Sequence, residues 1–413
     1  MEQLTIERRL VLGLQHMVAM FGATILVPLI TGLDPSVALI SAGIGTLIFH
    51  LASKLMVPVF LGSSFAFIPP IIAAASGGAS YGEIGIGILC AGLVYLIVAG
   101  IVMLIGPGFI RKIFPPVVTG PVIAVIGITL APIAIMQSEG EWIVAVVALL
   151  ATIIAAIYFK GLFKMLPILT GFIVGFFFAW FWSAVDSGFS MPFDALRNAS
   201  WVAWPNFVTG SLGFNWTVIA LIAPVALVTM IEHVGDILAN GRVVGKDFFK
   251  EPGVHRTLMG DGFATATAGL LGGPPNTTYS ENTGVLAVTR VYDPMVLRFA
   301  AVFAILLGFI PKFGGLLRTV PVPVLGGLSV ILFGMIAAVG LRTLVEGRVD
   351  FTKIRNMIIA GLILVFGLGI SGLSSPLSIT FGDTVIQISG LALGALVGVL
   401  ANLILPGAEL VED

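Results

Sequence analysis

Long apolar runs separated by short polar stretches dominate the chain, and a run of about 20 such residues is long enough to cross a bilayer as a helix. The runs lie near residues 10–31, 36–52, 83–106, 115–136, 141–158, 165–185, 216–240, 255–272, 295–313, 321–340, 354–372 and 385–406. Two shorter stretches, 56–75 and 274–289, are apolar but do not read as plain helices. Counted as crossings, they bring the total to about 14. The pattern predicts an all-α polytopic membrane protein.

The second short stretch contains Gly272-Gly273-Pro274-Pro275-Asn276-Thr277-Thr278-Tyr279-Ser280-Glu281-Asn282-Thr283-Gly284. The prolines remove backbone donors and favour extended backbone before them. Asn276 to Tyr279 favours a short extended segment, and Ser280 is placed to cap a helix beginning at Glu281. The earlier stretch, Pro58 to Pro70, repeats the scheme, with Gly62-Ser63-Ser64 at its break. Non-helical backbone at membrane depth is tolerated where protein buries it or where it lines a wet cavity, and the two breaks can be read either way. They are third and tenth among the expected segments, seven apart, so they run in opposite directions. Interrupted helices at corresponding places in two halves mark an inverted-repeat transporter with its site at the midplane. Two helix N-termini would then meet there, each offering free N–H donors and partial positive charge.

Composition and charge support this picture. The 413 residues are 58% hydrophobic and 10% charged, with a mean hydropathy of +1.11. With the N-terminus in the cytoplasm and alternating crossings, 17 of the 20 basic residues fall inside, and only Arg197, Lys312 and Arg318 fall outside. Dropping either broken segment reverses every later loop, so the count argues for both crossings and for cytoplasmic termini. The run after Met1 to Arg9 reads as a retained first helix, not a cleaved leader. A net charge of −1 gives no reason to expect a nucleic-acid partner. The single cysteine, Cys90, excludes an intramolecular disulfide and reads as helix packing. Trp201, Trp204 and Trp216, in or beside the longest outside loop, read as interface aromatics.

Four acids lie in or beside apolar spans: Glu232, Asp236, Asp261 and Glu281. Glu232 and Asp236, four apart, share a helix face. Two carboxylates so close in a low dielectric repel, and a proton on one relieves the repulsion. The pair can carry a coupled proton, or it can be a structural pair satisfied by its neighbours. Asp261 either clamps the neighbouring broken helix or is a buried hydrogen-bonded acid. His16 is a polar candidate in the first span, or a helix–helix hydrogen bond. His233 points about 100° away from Glu232 and reads as packing. His50 and His255, near span ends, read as interfacial. No group of ligands has metal-binding spacing, and no phosphate loop, zinc-protease motif or nucleophile elbow is present, so neither a cofactor nor ATP-driven transport is expected.

Glu232-His233-Val234-Gly235-Asp236, Pro275 to Asn282, Gly62-Ser63-Ser64-Phe65-Ala66-Phe67 and Leu14-Gln15-His16 resemble the nucleobase/ascorbate transporter family, and its bacterial proton-coupled uracil permease branch most closely. The resemblance covers nearly the whole chain. It implies 14 spans in two inverted repeats of seven. A core domain would be formed by residues 1–112 and 216–318, and a gate domain by 113–215 and 319–413. In that branch the base lies between the broken helices. Carried over, Glu232 and Glu281 would take the N–H edge of the pyrimidine, with backbone N–H groups near Phe65 and Ser280 receiving its carbonyls and Ser64 and Tyr279 beside them. Asp236, Glu281 and His16 are the candidates for proton coupling. Two positions depart from the branch, which has His at the place of Asp236 and Gly at that of Ser280. An Asp is more typical of the purine branch, but that branch has Gln at the place of Glu281.

The resemblance implies a uracil:proton symporter of the inner or plasma membrane, with both termini cytoplasmic and the lipid bilayer as its surroundings. A xanthine or urate permease is the rival within the family. Anion carriers share the fold, but carboxylates beside the ligand would repel an anion. A membrane enzyme lacks a nucleophile–base constellation here, and a channel fits two interrupted helices less well. The gate domain is apolar enough for a homodimer interface, a signal that lipid contact gives equally.

Overall fold

The computed structural model describes residues 4–161, 166–373, 377–381 and 384–407. Lys164, expected on the inner side, lies outside the described residues. The chain opens with α1 (Ile6–Thr31), capped by the Thr5 side chain on Arg8 N–H and stopped by left-handed Gly32. Asp34 then caps Ser36 at the start of α2 (Pro35–Ala52). The first break follows as β1 (Leu61–Ser63), a 3-10 turn at Phe65–Phe67 and α3 (Ile68–Ser76). Next come α4 (Tyr81–Ile105), α5 (Gly108–Ile113), α6 (Pro116–Glu139), α7 (Trp142–Tyr158), α8 (Pro167–Val185) and the short α9 (Asp194–Asn198). The second half begins with α10 (Trp216–Ile222), which continues through a 3-10 turn into α11 (Ala226–Val244). It proceeds through α12 (Val254–Leu271), β2 (Asn276–Thr278), α13 (Ser280–Thr289), α14 (Pro294–Gly308), α15 (Pro311–Arg318), α16 (Val322–Glu346) and α17 (Ile354–Ser371). A hairpin of β3 (Ser378–Phe381) and β4 (Thr384–Gln387) leads to α18 (Gly390–Ile404).

The apolar runs have become helical over most of their length, because in a bilayer a helix satisfies its own backbone. Eight helices among the described residues are long and apolar enough to cross a membrane, or nine if the bent pair α14–α15 counts as one span. The chain is a multi-pass membrane protein. The broken segments fail a length test because part of each is strand, leaving nine residues to α3 and ten to α13.

Packing gathers the helices into two groups. In one, α12 lies along α4 and α2, and α14 along α2 and α1. In the other, α16 lies along α6 and α7, and α17 along α18 and α6. The α4–α12 contact is backbone to backbone: a Cβ on Gly92 would stand 2.6 Å from the Gly262 carbonyl oxygen. Small residues are the usual means of such approach in membranes, where no hydrophobic drive separates helix from lipid.

Three expectations need correction. The run 295–313 is not one straight helix: it bends by 82° between α14 and α15, where Pro311 removes a backbone donor. The run 385–406 starts as a strand of the β3–β4 hairpin, so the molecule is not wholly helical outside its two breaks. His50 is not interfacial but fully buried, because the chain turns back after α2 and brings the Val59 carbonyl to 2.8 Å from its Nε2. The expected interface tryptophans, Trp201, Trp204 and Trp216, are exposed, as membrane-boundary aromatics are.

Candidate functional site

The two breaks meet. Strands β1 and β2 pair antiparallel, with Leu61 opposite Thr278, Gly62 opposite Thr277 and Ser63 opposite Asn276. Two further backbone bonds extend the ribbon, Ser64 N–H to Pro275 O (2.9 Å) and Tyr279 N–H to Phe60 O (3.0 Å). The helical turns that follow therefore leave opposite ends of one small ribbon, and both N-termini point back at it. Three-residue strands cannot hold themselves together, so the surrounding helices supply the rest of the hydrogen bonds. Thr46 on α2 accepts from Leu61 N–H (2.9 Å), and Ser63 donates to Thr24 O on α1 (2.8 Å). Asn276 donates to Ser41 O (2.9 Å), and Thr265 on α12 donates to Asn276 O (2.8 Å). Tyr279 lays its ring across Gly62 and donates its hydroxyl to Ser63 O (2.8 Å).

This framework predicts a sharp stability effect at Gly62. A Cβ there would run into the Tyr279 ring and stand 2.6 Å from Thr24 Oγ1. Gly62→Ala is expected to cost about 1–3 kcal/mol, the usual penalty for overpacking a filled core. A lowered thermal midpoint in detergent checks it, and an unchanged midpoint would show that the ribbon yields.

The α11 helix runs past the ribbon and presents a polar stripe to it. Glu232, Asp236 and Asn240 follow one another at intervals of four. Asp236 Oδ2 accepts from Thr278 Oγ1 at 3.0 Å, tying the helix to β2. Asn240 donates to Pro58 O (3.0 Å) and to Thr283 Oγ1 (3.1 Å), so one side chain holds both broken segments. Glu232, Asp236 and Glu281 are partly accessible, Ser280 is exposed, and Glu281 lies within electrostatic range of both α11 acids. Three partly accessible carboxylates thus stand beside the ribbon, and no basic residue occurs in residues 58–70 or 272–289.

Other candidates are placed differently. Phe65, Ser64 and Tyr279 are buried. The Phe65 ring meets Phe333 of α16 edge to face at 5.9 Å, so the two helix groups touch there. Beyond Phe65, a cleft of about 610 Å³ opens between α3, α6 and the start of α16, lined by Pro69, Ala73, Thr129 and Val322 among others. Ser280 does not cap α13. The cap position is Tyr279, held extended by its bond to Phe60 O, so the helix starts one residue early and Ser280 is its first residue. His16 bonds across helices, Asn282 Nδ2 lying 3.1 Å from its Nδ1 and 3.1 Å from its backbone oxygen. His233 turns away from the stripe, as its position predicts, and spans Thr257 Oγ1 (3.0 Å) and Asp261 Oδ2 (2.9 Å). Asp261 is therefore a buried acid in contact with His233, and it is Thr265 that clamps the break. Asn276 and Thr278 belong to the extended break in the sequence reading but not as its ties, and Asn240 and Thr46 are not singled out there. Asn240 has a signal, as the next residue in the four-spaced stripe after Asp236.

Known proteins resemble this chain in sequence and in fold. Residues 7–375 fit the xanthine/uracil permease model, described as the Permease family. A uracil permease of Bacillus caldolyticus is 47% identical over 416 residues, covering 98% of this chain and 93% of its own. Uracil permeases of Bacillus subtilis strain 168 and of Escherichia coli K12 are 44% and 36% identical, covering 96% and 95% of this chain and 92% and 90% of theirs. Among solved structures, the transmembrane domain of the cyanobacterial bicarbonate transporter BicA superposes with a TM-score of 0.65 at 15% identity, over 96% of each chain. The structure of SLC26A9 has the same score at 11% identity, over 96% of this chain and 64% of that one. Those two show that the fold is shared. Its sequence places the chain in the Permease family, the nucleobase/ascorbate transporters its motifs resemble, and makes it a transporter rather than an enzyme.

Proposed function

We propose that the chain imports uracil together with protons, by alternating access, across the inner or plasma membrane. The observation that carries this is the ribbon flanked by two helix N-termini on one hand and by Glu232, Asp236 and Glu281 on the other. Uracil offers two carbonyl acceptors and two N–H donors in one plane. Carboxylates take the N–H groups, and helix N-termini with exposed Ser280 and nearby Phe65 supply donors for the oxygens. Ser64 and Tyr279 build the wall behind them. Asp236, Glu281 and His16 form the proposed proton-coupling set. The similarity to proteins named uracil permeases supports the same substrate.

The reading extends to architecture. Fourteen segments, with α3 and α13 in the third and tenth, form two inverted repeats of seven. The contacts support the repeat: α4 on α12 joins segments four and nine, and α14 on α2 joins eleven and two, which are the same pair shifted by seven. Likewise α7 on α8 joins six and seven, and α17 on α18 joins thirteen and fourteen. Residues 1–112 and 216–318 form the core domain, and 113–215 and 319–413 the gate. Ion pairs support the sidedness, with both termini cytoplasmic: Arg9 meets Asp293 (2.9 Å) and Arg242 meets Glu346 (3.5 Å) at one end, and Arg318 meets Asp34 (3.2 Å) at the other. A homodimer would form through the gate, whose outer face exposes Phe177, Trp180 and Phe181.

Competition of labelled uracil uptake into proteoliposomes tests the substrate. Unlabelled uracil is expected to compete, and xanthine and sulfate are not. Competition by xanthine alone would move the chain to the purine readers, as Asp236 suggests. Glu281→Gln is expected to weaken uracil about tenfold and to admit xanthine, since an amide presents both a donor and an acceptor. Uracil uptake at the wild-type level in that variant would make Glu281 structural.

A further inference from the structure

The cleft beyond Phe65 lies between the two helix groups, away from the end where Arg9 meets Asp293. Its volume, about 610 Å³, is that of a small-molecule site. Ile30, Pro69 and Ala73 wall it from the first group, and Gln137, Val322 and Ser371 from the second. Strand β4 closes one side, its Gln387 lining the cleft while the strand lies against α10. Ser63 of the ribbon, Phe65 and Pro69 follow in that order along one segment, and Phe333 lies about three helical turns beyond Val322 on α16. The Phe65–Phe333 contact therefore stands between the cleft and the ribbon.

No charged side chain lines the cleft among the described residues. An ion would lose its water there without gaining a counter-charge, so the cleft suits a neutral ligand. Its hydroxyls are already engaged. Thr129 donates to Val125 O (2.8 Å), Ser371 donates to Gly367 O (2.7 Å), and Ser389 caps α18 by accepting from Ala392 N–H (3.5 Å). Gln137 differs: its Oε1 is buried and has no hydrogen-bond partner among the described residues. Its backbone is held firmly, because a Cβ on Gly326 of α16 would stand 2.9 Å from the Gln137 carbonyl carbon. The terminal amide torsion is soft, so a rotation presents the donor and the acceptor of a firmly mounted amide to the cleft. A buried acceptor left unpaired costs free energy, which a ligand N–H would recover.

We propose that the cleft is a second binding site for the nucleobase, separate from the ribbon, in which the Gln137 amide pairs with an adjacent N–H and C=O of the ring. The inference rests on the reading of uracil as the substrate. Uracil carries an N–H beside a carbonyl, which an amide matches with two hydrogen bonds, and apolar walls such as Pro69 and Val322 cover the faces of a planar ring. A base held there lies on the far side of the Phe65–Phe333 pair from the ribbon, so its binding does not require Glu232.

The test uses the full-length protein in detergent with Cys90→Ser and Ala73→Cys, which leave one thiol, in the cleft. Its labelling by a maleimide is followed at increasing uracil, and a thermal midpoint confirms that each variant is folded. Uracil is expected to slow labelling, with the same half-protecting concentration when Glu232→Gln is added. Gln137→Met is expected to raise that concentration about fivefold, the effect of one lost hydrogen bond, and Gln137→Glu, which retains an acceptor, to leave it near its starting value. 1,3-Dimethyluracil, which has no N–H, is expected not to protect. Protection that vanishes with Glu232→Gln, protection untouched by Gln137→Met, or equal protection by 1,3-dimethyluracil would overturn the inference. So would unslowed labelling in protein that binds uracil, which leaves the substrate reading standing. Protein that binds no uracil at all would overturn that reading, and the inference with it.

Discussion

Glu232→Gln is expected to lower uracil affinity by about tenfold or more while leaving the fold intact. The substitution keeps shape and volume but replaces one acceptor oxygen with an N–H₂ donor, which would face a uracil N–H. A charge-assisted hydrogen bond contributes about 1.5–3 kcal/mol, and 1.4 kcal/mol is a factor of ten. The helix around Glu232 does not depend on its carboxylate, because α11 is fastened elsewhere: His233 to Thr257 and Asp261, Asp236 to Thr278, and Asn240 to Pro58 and Thr283. Equilibrium binding of labelled uracil, with a thermal midpoint as control, is the measurement. Near-normal affinity in the folded variant would remove Glu232 as the principal ligand.

Asp236→Asn is expected to abolish accumulation of uracil against its gradient but to spare binding and exchange. Asp236 lies one turn beyond Glu232 on the same face and accepts from Thr278 at 3.0 Å. An Asn can still accept that bond through its amide oxygen, so the ribbon keeps its tie. What it loses is a removable proton. In the proposed cycle a proton on Asp236 relieves repulsion with Glu232 and lets the site close on a neutral base. Closing on substrate thus takes up a proton, so wild-type affinity rises as pH falls, and the Asn variant, permanently uncharged, holds one affinity across pH. Uptake into proteoliposomes with and without an inward proton gradient, beside binding at several pH values, distinguishes the cases. Gradient-driven accumulation at the wild-type level would exclude Asp236 and point to Glu281 as the carrier.

Much of this site could be seen in the chain. The prolines and glycines of both breaks, the four-residue spacing of Glu232 and Asp236, and a carboxylate just after a break are local signals with local causes. The ties that make the site were not visible. Asn276 reaches Ser41 across 235 positions and Tyr279 reaches Ser63 across 216, and a buried hydrogen bond leaves no periodic trace in sequence. Asn282 is similar: its Glu281-Asn282 motif was clear, but only folding showed that it grips His16 on α1.

The sequence by itself determined where most of the helices form and where the two segments at 56–75 and 274–289 must break, because in a bilayer a backbone is satisfied by near neighbours or by buried partners. It also determined which acids stand on the inner face, since helix periodicity alone places Glu232 with Asp236 and turns His233 away. Only the tertiary structure decided that the two breaks pair into one ribbon, that α13 starts at Ser280 without its side-chain cap, that His50 is buried against the Val59 carbonyl, and that Asp261 is buried against His233. Each of those outcomes depends on a partner from a distant segment, whose distance and direction are set by how the helices pack.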